Sequence, residues 1–219
     1  MRRVFGVFGV GRFAKEVVHF AGPAVDVALG GSARADVYLV ARDGDEAPAT
    51  LHGVPVIGER DFLAIDAERW YTVAISDSRL RARIVDRVGD AACPLSLLDG
   101  GARLLGPGVI DEGTILCPFA LVSTDTRLGR FVHVNYQACI AHDCTIGDFV
   151  TFAPGATCNG NVVIGDHAYI GSGAVIRNGS PNRPLSIGAG ATIGMGAVVI
   201  CDVPAGAVVV GNPARPIRP

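Results

Sequence analysis

From residue 104 onward an apolar residue returns at every sixth position: Leu104, Ile110, Leu116, Val122, Leu128, Val134, Ile140, Ile146, Phe152, Cys158, Ile164, Ile170 and Ile176. A small or β-branched residue stands two places before many of them, as at Ala138, Cys144, Ala156, Val162, Ala168 and Ala174. Glycine often follows at once, as in Leu128-Gly129, Ile146-Gly147, Ile164-Gly165 and Ile170-Gly171. A helix repeats every 3.6 residues and a long antiparallel strand every two, so neither produces this spacing. Short strands joined by corners do. Each strand sends two side chains inward, three strands close one triangular coil, and stacked coils share a core and pair their backbones. The pattern predicts a hexapeptide β-helix with the sixth-position residues inside and glycine at the corners. Each buried Ile or Val contributes about 1.5–3 kcal/mol. The frame breaks at Asn178-Gly179-Ser180-Pro181-Asn182-Arg183-Pro184 and resumes, shifted, at Ile187-Gly188, Ile193-Gly194 and Val199. Extra residues do not fit a stacking register, so a loop expelled from the coil is expected near 178–185. Its two prolines and Arg183 suit an ordered excursion toward another subunit, and equally an idle surface insertion.

Before residue 98 the pattern changes. Val4 to Phe8 reads as a strand, Gly9-Val10-Gly11-Arg12-Phe13-Ala14 as a turn, and an amphipathic helix follows through about Phe20. A second strand, Val37 to Val40, ends near Asp43. A third, Thr72 to Ile75, leads into Ser76-Asp77-Ser78 and a helix from Arg79 to Val88, which Ser76 or Asp77 is placed to cap. Alternating strands and helices imply a small parallel sheet. The chain is thus read as a small α/β, Rossmann-like domain over 1–98 and a mainly β coil domain over 99–219, joined near Leu98-Asp99-Gly100-Gly101. A glycine turn between a strand and a helix N-terminus suits phosphate, although any βαβ unit needs such a turn. About 95 residues make a mononucleotide-sized half, not a six-stranded dinucleotide domain. That, and the lack of an accompanying acid–base set, counts against a nicotinamide-dependent oxidoreductase.

Composition narrows the choice. Of 219 residues, 49% are apolar and 18% charged, which excludes disorder, and the formal charge of −2 gives no basic footprint for nucleic acid. No run of 18 apolar residues predicts a membrane span. The start, Met1-Arg2-Arg3 and an apolar run, resembles a secretion signal, but Gly6, Gly9 and Gly11 interrupt it and no cleavage site follows. Cys93, Cys117, Cys139, Cys144, Cys158 and Cys201 form no CxxC pair, so they read as buried reduced thiols of a cytoplasmic protein, with no metal.

A β-helix has no phosphate loop, so its chemistry must come from corner side chains. Of five histidines, His19 and His52 read as surface residues and His167 as an idle corner. His133 precedes inward Val134 and should point outward. His142 follows Ile140 by two, where its ring leaves the prism, and Asp143 comes next. A carboxylate beside an imidazole fixes its tautomer and supports the imidazolium; a solvated corner histidine is the plain alternative.

The segment Val134-Asn135-Tyr136-Gln137-Ala138-Cys139-Ile140-Ala141-His142-Asp143-Cys144-Thr145-Ile146-Gly147, continuing through Ala153-Pro154-Gly155-Ala156-Thr157-Cys158-Asn159-Gly160-Asn161-Val162-Val163, resembles the sialic acid O-acetyltransferase and bacillosamine-type N-acetyltransferase family. Gly53-Val54-Pro55-Val56-Ile57-Gly58, Ala74-Ile75-Ser76-Asp77 with Arg79, and the ending from Val203 to Ala214 are similar to it too, so the resemblance covers nearly the whole chain. It implies a left-handed parallel β-helix and a homotrimer with active sites between subunits. It also implies acetyl-CoA-dependent acetylation of an amine on a nucleotide-linked amino-deoxysugar. His142 would be the general base, oriented by Asp143. The Gly160 amide would bind the oxyanion, and the acetyl-CoA set would be Thr151, Gly160, Ser172, Gly194 and Met195. Asn135 and Tyr136 would face the sugar, with the nucleotide on Gly9, Gly11, Arg12, Asp43, Ser76 and Asp77. Arg12 and Phe13 replace a glycine and a histidine of the family turn, Ala41-Arg42-Asp43 replaces paired aspartates, and Thr151 stands where a relative has a second histidine. A corner histidine deprotonates a hydroxyl as well as an amine, so O-acetylation of a sialic acid-type sugar stays open, as does a non-catalytic nucleotide-binding scaffold.

Overall fold

The sixfold apolar series winds as a three-sided parallel β-helix. The computed structural model describes residues 2–31 and 34–217; Met1, Ser32, Ala33, Arg218 and Pro219 lie outside it. The chain divides into two units, Met1–Asp99 and Gly100–Pro219. In the second unit, the first face carries Ile115–Leu116, His133–Val134, Thr151–Phe152, Tyr169–Ile170, Thr192–Ile193 and Val208–Val210. The second carries Arg103–Leu104, Leu121–Val122, Cys139–Ile140, Thr157–Cys158, Val175–Ile176 and Val198–Val199; the third carries Gly108–Ile110, Thr126–Leu128, Thr145–Ile146, Val162–Ile164 and Leu185–Ile187. Up to the extruded segment each strand pairs in parallel with the one eighteen residues on, as Leu116 with Val134 and Val134 with Phe152.

From Leu116 to Ile176 no sixth-position residue is more than 3% exposed. Two members of the series depart. Leu104 is 47% exposed and Ile110 half-buried, because the first turn of the coil has a coil on one side only. The corner chemistry also differs from the expectation. The residue forced into the left-handed backbone region lies three places after the inward one: Gly113, Phe119, Asp125, Phe131, Gln137, Asp143, Phe149, Gly155, Asn161, His167 and Gly173 all have positive φ. Most are not glycine, and coil closure holds them there at about 1–2 kcal/mol each. Glycines placed directly after the inward residue serve close approach instead. A Cβ on Gly147 would lie 2.7 Å from the Asp166 amide nitrogen of the next coil. At one corner the left-handed side chains stack, Phe131 on Phe149 at 5.8 Å and Phe149 on His167 at 5.1 Å.

Ile187 pairs with Ile164 at twenty-three positions instead of eighteen, so five residues are extruded before Leu185. The extruded turn is closed by two backbone bonds between Ser180 and Arg183, each 3.0 Å.

The first unit contains β1 (Arg3–Phe8), α1 (Arg12–Ala28), β2 (Asp36–Ala41), β3 (Thr50–Leu51), β4 (Val54–Gly58), α2 (Glu59–Leu63), β5 (Glu68–Val73), α3 (Ser78–Val88) and β6 (Cys93–Pro94). Its sheet runs β3-β4-β2-β1-β5-β6, parallel except between β3 and β4. Phe62 packs so tightly on β1 that a Cβ at Gly6 would come 2.7 Å from its ring. α1 runs past the expected end near Phe20 and through Pro23, because burial of Ala21, Ala24 and Val25 outweighs one missing helical hydrogen bond. The third strand of the sequence reading starts earlier, at Glu68, and stops at Val73. Ala74 and Ile75 leave the sheet as a loop, and β3, β4 and α2, which carry no long periodic run, were not anticipated. Among the cysteines, Cys93 and Cys201 are exposed, contrary to the buried-thiol reading, since one opens a short edge strand and the other sits in a turn.

Gly147→Ala is expected to destabilise the protein by about 1–3 kcal/mol, because the added methyl meets fixed backbone of the next coil. A lowered thermal unfolding midpoint checks this; an unchanged midpoint would show that the coil spacing relaxes there.

Candidate active site

One corner of the coil, between the second and third faces, brings four layers into line: Thr124-Asp125, Ala141-His142-Asp143, Asn159-Gly160-Asn161 and Arg177-Asn178-Gly179. The layers are tied by Asp143 N–H to the Thr124 carbonyl (3.3 Å), Asn161 N–H to the His142 carbonyl (3.1 Å) and Gly179 N–H to the Gly160 carbonyl (3.0 Å). Asp143 occupies the left-handed position with φ of 56°, a conformation Asp adopts more readily than most residues. This turns its carboxylate back on its neighbour, and Asp143 Oδ2 lies 2.7 Å from His142 Nδ1. Both side chains are 54% exposed. A proton on Nδ1 donated to Asp143 leaves the Nε2 lone pair uncommitted.

Directly above the ring is Gly160. A Cβ there would lie 2.7 Å from His142 Nε2, so only glycine leaves room for the imidazole. Gly160 is buried, and among the described residues its amide donates no backbone hydrogen bond. A basic nitrogen and an uncommitted N–H therefore sit side by side, one from each of two adjacent coils. The corner is braced from within. Cys144 Sγ approaches the carbonyls of His142 at 3.5 Å and Asn159 at 3.3 Å, and Asn159 Nδ2 donates to the Ile176 carbonyl at 2.7 Å. A hydrogen bond with Cys158 draws the Cys144 thiol below its ordinary value, and the same bond with burial pushes the Cys158 thiol well up.

The other residues expected around the reaction stand elsewhere on the coil. Tyr136, Pro154 and Ser172 stack at the corner between the first and second faces, where Gly155 N–H bonds the Tyr136 carbonyl and Gly196 N–H the Ser172 carbonyl. Met195, 81% exposed, and Gly194 continue that stack, with buried Asn135 at its base. Thr151 lies in the first face, 4% exposed, paired with His133 and Tyr169. His133, expected to point outward, is fully buried, as is Ile115 beside it in register, whereas Tyr169 farther along the same stripe is 39% exposed. Of the expected acetyl-CoA set, only Gly160 shares the His142 corner within one chain.

In the first unit a cavity of about 510 Å³ opens at the C-terminal edge of the sheet. Gly9, Gly11, Arg12 and Ser76 line it. Gly11 is the N-cap of α1 and makes no side-chain cap bond. Asp43 and Asp77 do not line the cavity. Asp77 caps α3, accepting from Arg79 N–H and Leu80 N–H, each at 2.9 Å. Asp43 accepts from Arg60 N–H at 3.2 Å and pairs with its guanidinium at 3.3 Å, capping α2 instead. The walls also use Arg42, beside the position of the family's paired aspartates, and three residues that no motif marked: Asp45, Glu59 and Arg87. Arg87 grips Glu59 with two bonds of 2.6 Å, and that bond raises the Arg87 guanidinium. Behind the loop, fully buried Arg81 donates to the Ile75 carbonyl at 2.7 Å, and burial lowers its guanidinium to about 9.

Among the described residues no group of three or more His, Cys, Asp or Glu side chains is arranged to hold a metal ion, and no helix is long and apolar enough to cross a membrane.

No protein-family model matches the chain. The GDP-perosamine N-acetyltransferase of Escherichia coli O157:H7 is 43% identical over 217 residues, spanning 98% of this chain and 96% of that protein. WeeI from Acinetobacter baumannii AYE superposes with a TM-score of 0.89 at 42% identity, over 98% of this chain and 100% of that one. The acetyltransferase domain of PglB from Neisseria gonorrhoeae FA1090, solved in complex with acetyl coenzyme A, gives a TM-score of 0.84 at 32% identity over 99% of this chain and 100% of that one. This chain belongs to the hexapeptide-repeat family of nucleotide-sugar N-acetyltransferases.

Proposed function

We propose that the protein transfers the acetyl group of acetyl-CoA to the amine of a GDP-linked amino sugar of the perosamine kind, with His142 as general base. The observation that carries the reading is the Asp143–His142 pair lying against the uncommitted amide of Gly160. His142 Nε2 accepts a proton from the sugar amine as the amine nitrogen bonds to the thioester carbonyl carbon. Asp143 holds the ring in the tautomer that leaves Nε2 basic and then balances the imidazolium. The Gly160 N–H, a donor fixed by the coil, receives the developing oxyanion. When the carbon–sulfur bond breaks, the imidazolium returns its proton to the leaving thiolate, so the base is regenerated.

The rest of the site is assembled on the same reading. The coil is taken as left-handed and the protein as a homotrimer. In the trimer the stack of Asn135, Tyr136, Ser172, Gly194 and Met195 of one subunit faces the His142 corner of the next and holds sugar and pantetheine. The first unit acts as a Rossmann-like nucleotide domain. Its glycine turn, Arg12 and Ser76, joined by Arg42, take the diphosphate at the N-terminus of α1, where backbone amides favour anions. A nucleotide sugar and acetyl-CoA are cytoplasmic metabolites, which places the enzyme in the cytoplasm.

His142→Ala should lower kcat for acetyl transfer by about 10²–10⁴-fold with a GDP-linked amino sugar, read as thiol released from acetyl-CoA; retention within a few-fold would defeat the mechanism. Asp143→Asn should also lose activity, by up to about 10⁴-fold and mainly in kcat, because the ring remains while its tautomer is no longer held. In sedimentation the protein should run with the mass of three chains; a monomer of full activity would remove the shared site.

A further inference from the structure

A cavity in the coil unit, of about 730 Å³, is lined by Arg177, Asn178, Ser180, Arg183, Cys201 and Asp202 among others. It lies on the corner of His142. The backbone ladder runs from Ala141 N–H to the Cys158 carbonyl (2.8 Å), from Asn159 N–H to the Ile176 carbonyl (3.1 Å) and from Arg177 N–H to the Val199 carbonyl (2.9 Å). Arg177 thus stands two coils above Ala141, and Asn178 two above His142. With about 4.8 Å between paired strands, the cavity begins about 10 Å along the coil from the imidazole.

The charge of the corner is graded along this line. Asp125 and Asp143 occupy the layers at and below His142, whereas Arg177 and Arg183 stand above it. Both arginines are exposed, and neither takes part in a salt bridge among the described residues. The one carboxylate of the lining, Asp202, is already engaged with the Ser186 amide at 2.9 Å. The extruded turn that carries Arg183 is fixed at both ends, by its own Ser180–Arg183 bonds and by Leu185 N–H to the Asn161 carbonyl at 3.1 Å. Its guanidinium is therefore delivered to the corner by ordered backbone.

We propose that this cavity is the phosphate-binding end of the acetyl-donor site, with Arg177 and Arg183 receiving the diphosphate and 3′-phosphate of acetyl-CoA. The inference rests on the reading of His142 as the base that meets the thioester. An extended pantetheine arm spans about 15 Å from sulfur to diphosphate by ordinary bond geometry, enough to bridge from the imidazole to the arginines. The charge gradient sets the direction: a polyanion is repelled by the aspartates on one side of His142 and attracted by the guanidiniums on the other. Guanidiniums bind phosphate oxygens through paired, charge-assisted hydrogen bonds. The five extruded residues thereby gain a task that stacking alone does not give them.

Truncated donors test the assignment. Initial rates are measured with acetyl-CoA, acetyl-dephospho-CoA and acetyl-pantetheine for the unmodified protein, Arg177→Ala, Arg183→Ala and Arg183→Lys. Each alanine variant should raise KM for acetyl-CoA by about tenfold. It should leave kcat, the KM for the nucleotide sugar, the KM for acetyl-pantetheine and the thermal midpoint unchanged, with Arg183→Lys intermediate. The proposal is overturned if acetyl-CoA KM stays constant in both alanine variants, or if acetyl-pantetheine loses as much as acetyl-CoA. Such results would leave the acetyl-transfer reading intact, which fails separately if His142→Ala keeps its activity.

Discussion

Parallel pairing of each strand with the strand one turn of the coil later, eighteen residues on until the extruded segment, is the constraint from which the rest follows. It fixes the spacing of coils at the width of a β-ladder and lines up every corner with the corners above and below. A corner residue consequently has partners that are far away in sequence and fixed in space. His142 meets Gly160 for this reason, and the fit is close enough that a single methyl on Gly160 would displace the ring. The same pairing fixes which residues must tolerate a left-handed backbone, and Asp143 is one of them. Its carboxylate faces the imidazole because the corner turns there, so one backbone requirement of the fold also supplies the orientation that the chemistry needs.

The corner also shows how a β-helix builds a polar site without loops. Inward positions are closed by Cys144, Ile140 and Cys158, strand positions are consumed by pairing, and only the two or three residues of each corner remain for chemistry. Neighbouring coils contribute different groups to that narrow column: an imidazole from one, an uncommitted amide from the next, and guanidiniums beyond. Where the column needs a longer reach, five residues are extruded and closed on themselves, so the register is kept on both sides. A flexible insertion would have disturbed the stacking, and a coil without one would have presented no Arg183.

The first unit obeys a different logic, and less of it was legible. The glycine turn after β1 and the helix that follows could be read locally, because a strand, a tight turn and a helix start are each short-range patterns. Asp43 and Asp77 carried the right charge in promising places but were drawn into capping α2 and α3, where backbone amides need an acceptor. The cavity is walled instead by Arg42 and Asp45 from the loop after β2, Glu59 from α2 and Arg87 from α3, which meet only in the folded chain. Arg81 lies behind the loop as a buried guanidinium that holds the Ile75 carbonyl, a role invisible in a sequence where it is one arginine among several on a polar helix.

The sequence by itself determined the coil, its inward residues, the extruded segment and the pairing of His142 with Asp143, since all of these depend on a repeat of six or on adjacent residues. Tertiary structure alone decided the rest. It placed glycine by close approach at Gly147 and not by backbone handedness, closed His133 and Thr151 to solvent, exposed Leu104 at the end of the stack, and set Gly160 against the imidazole. These outcomes depend on which atoms of the next coil or element come within a few ångströms, and periodicity along one chain carries no record of those distances.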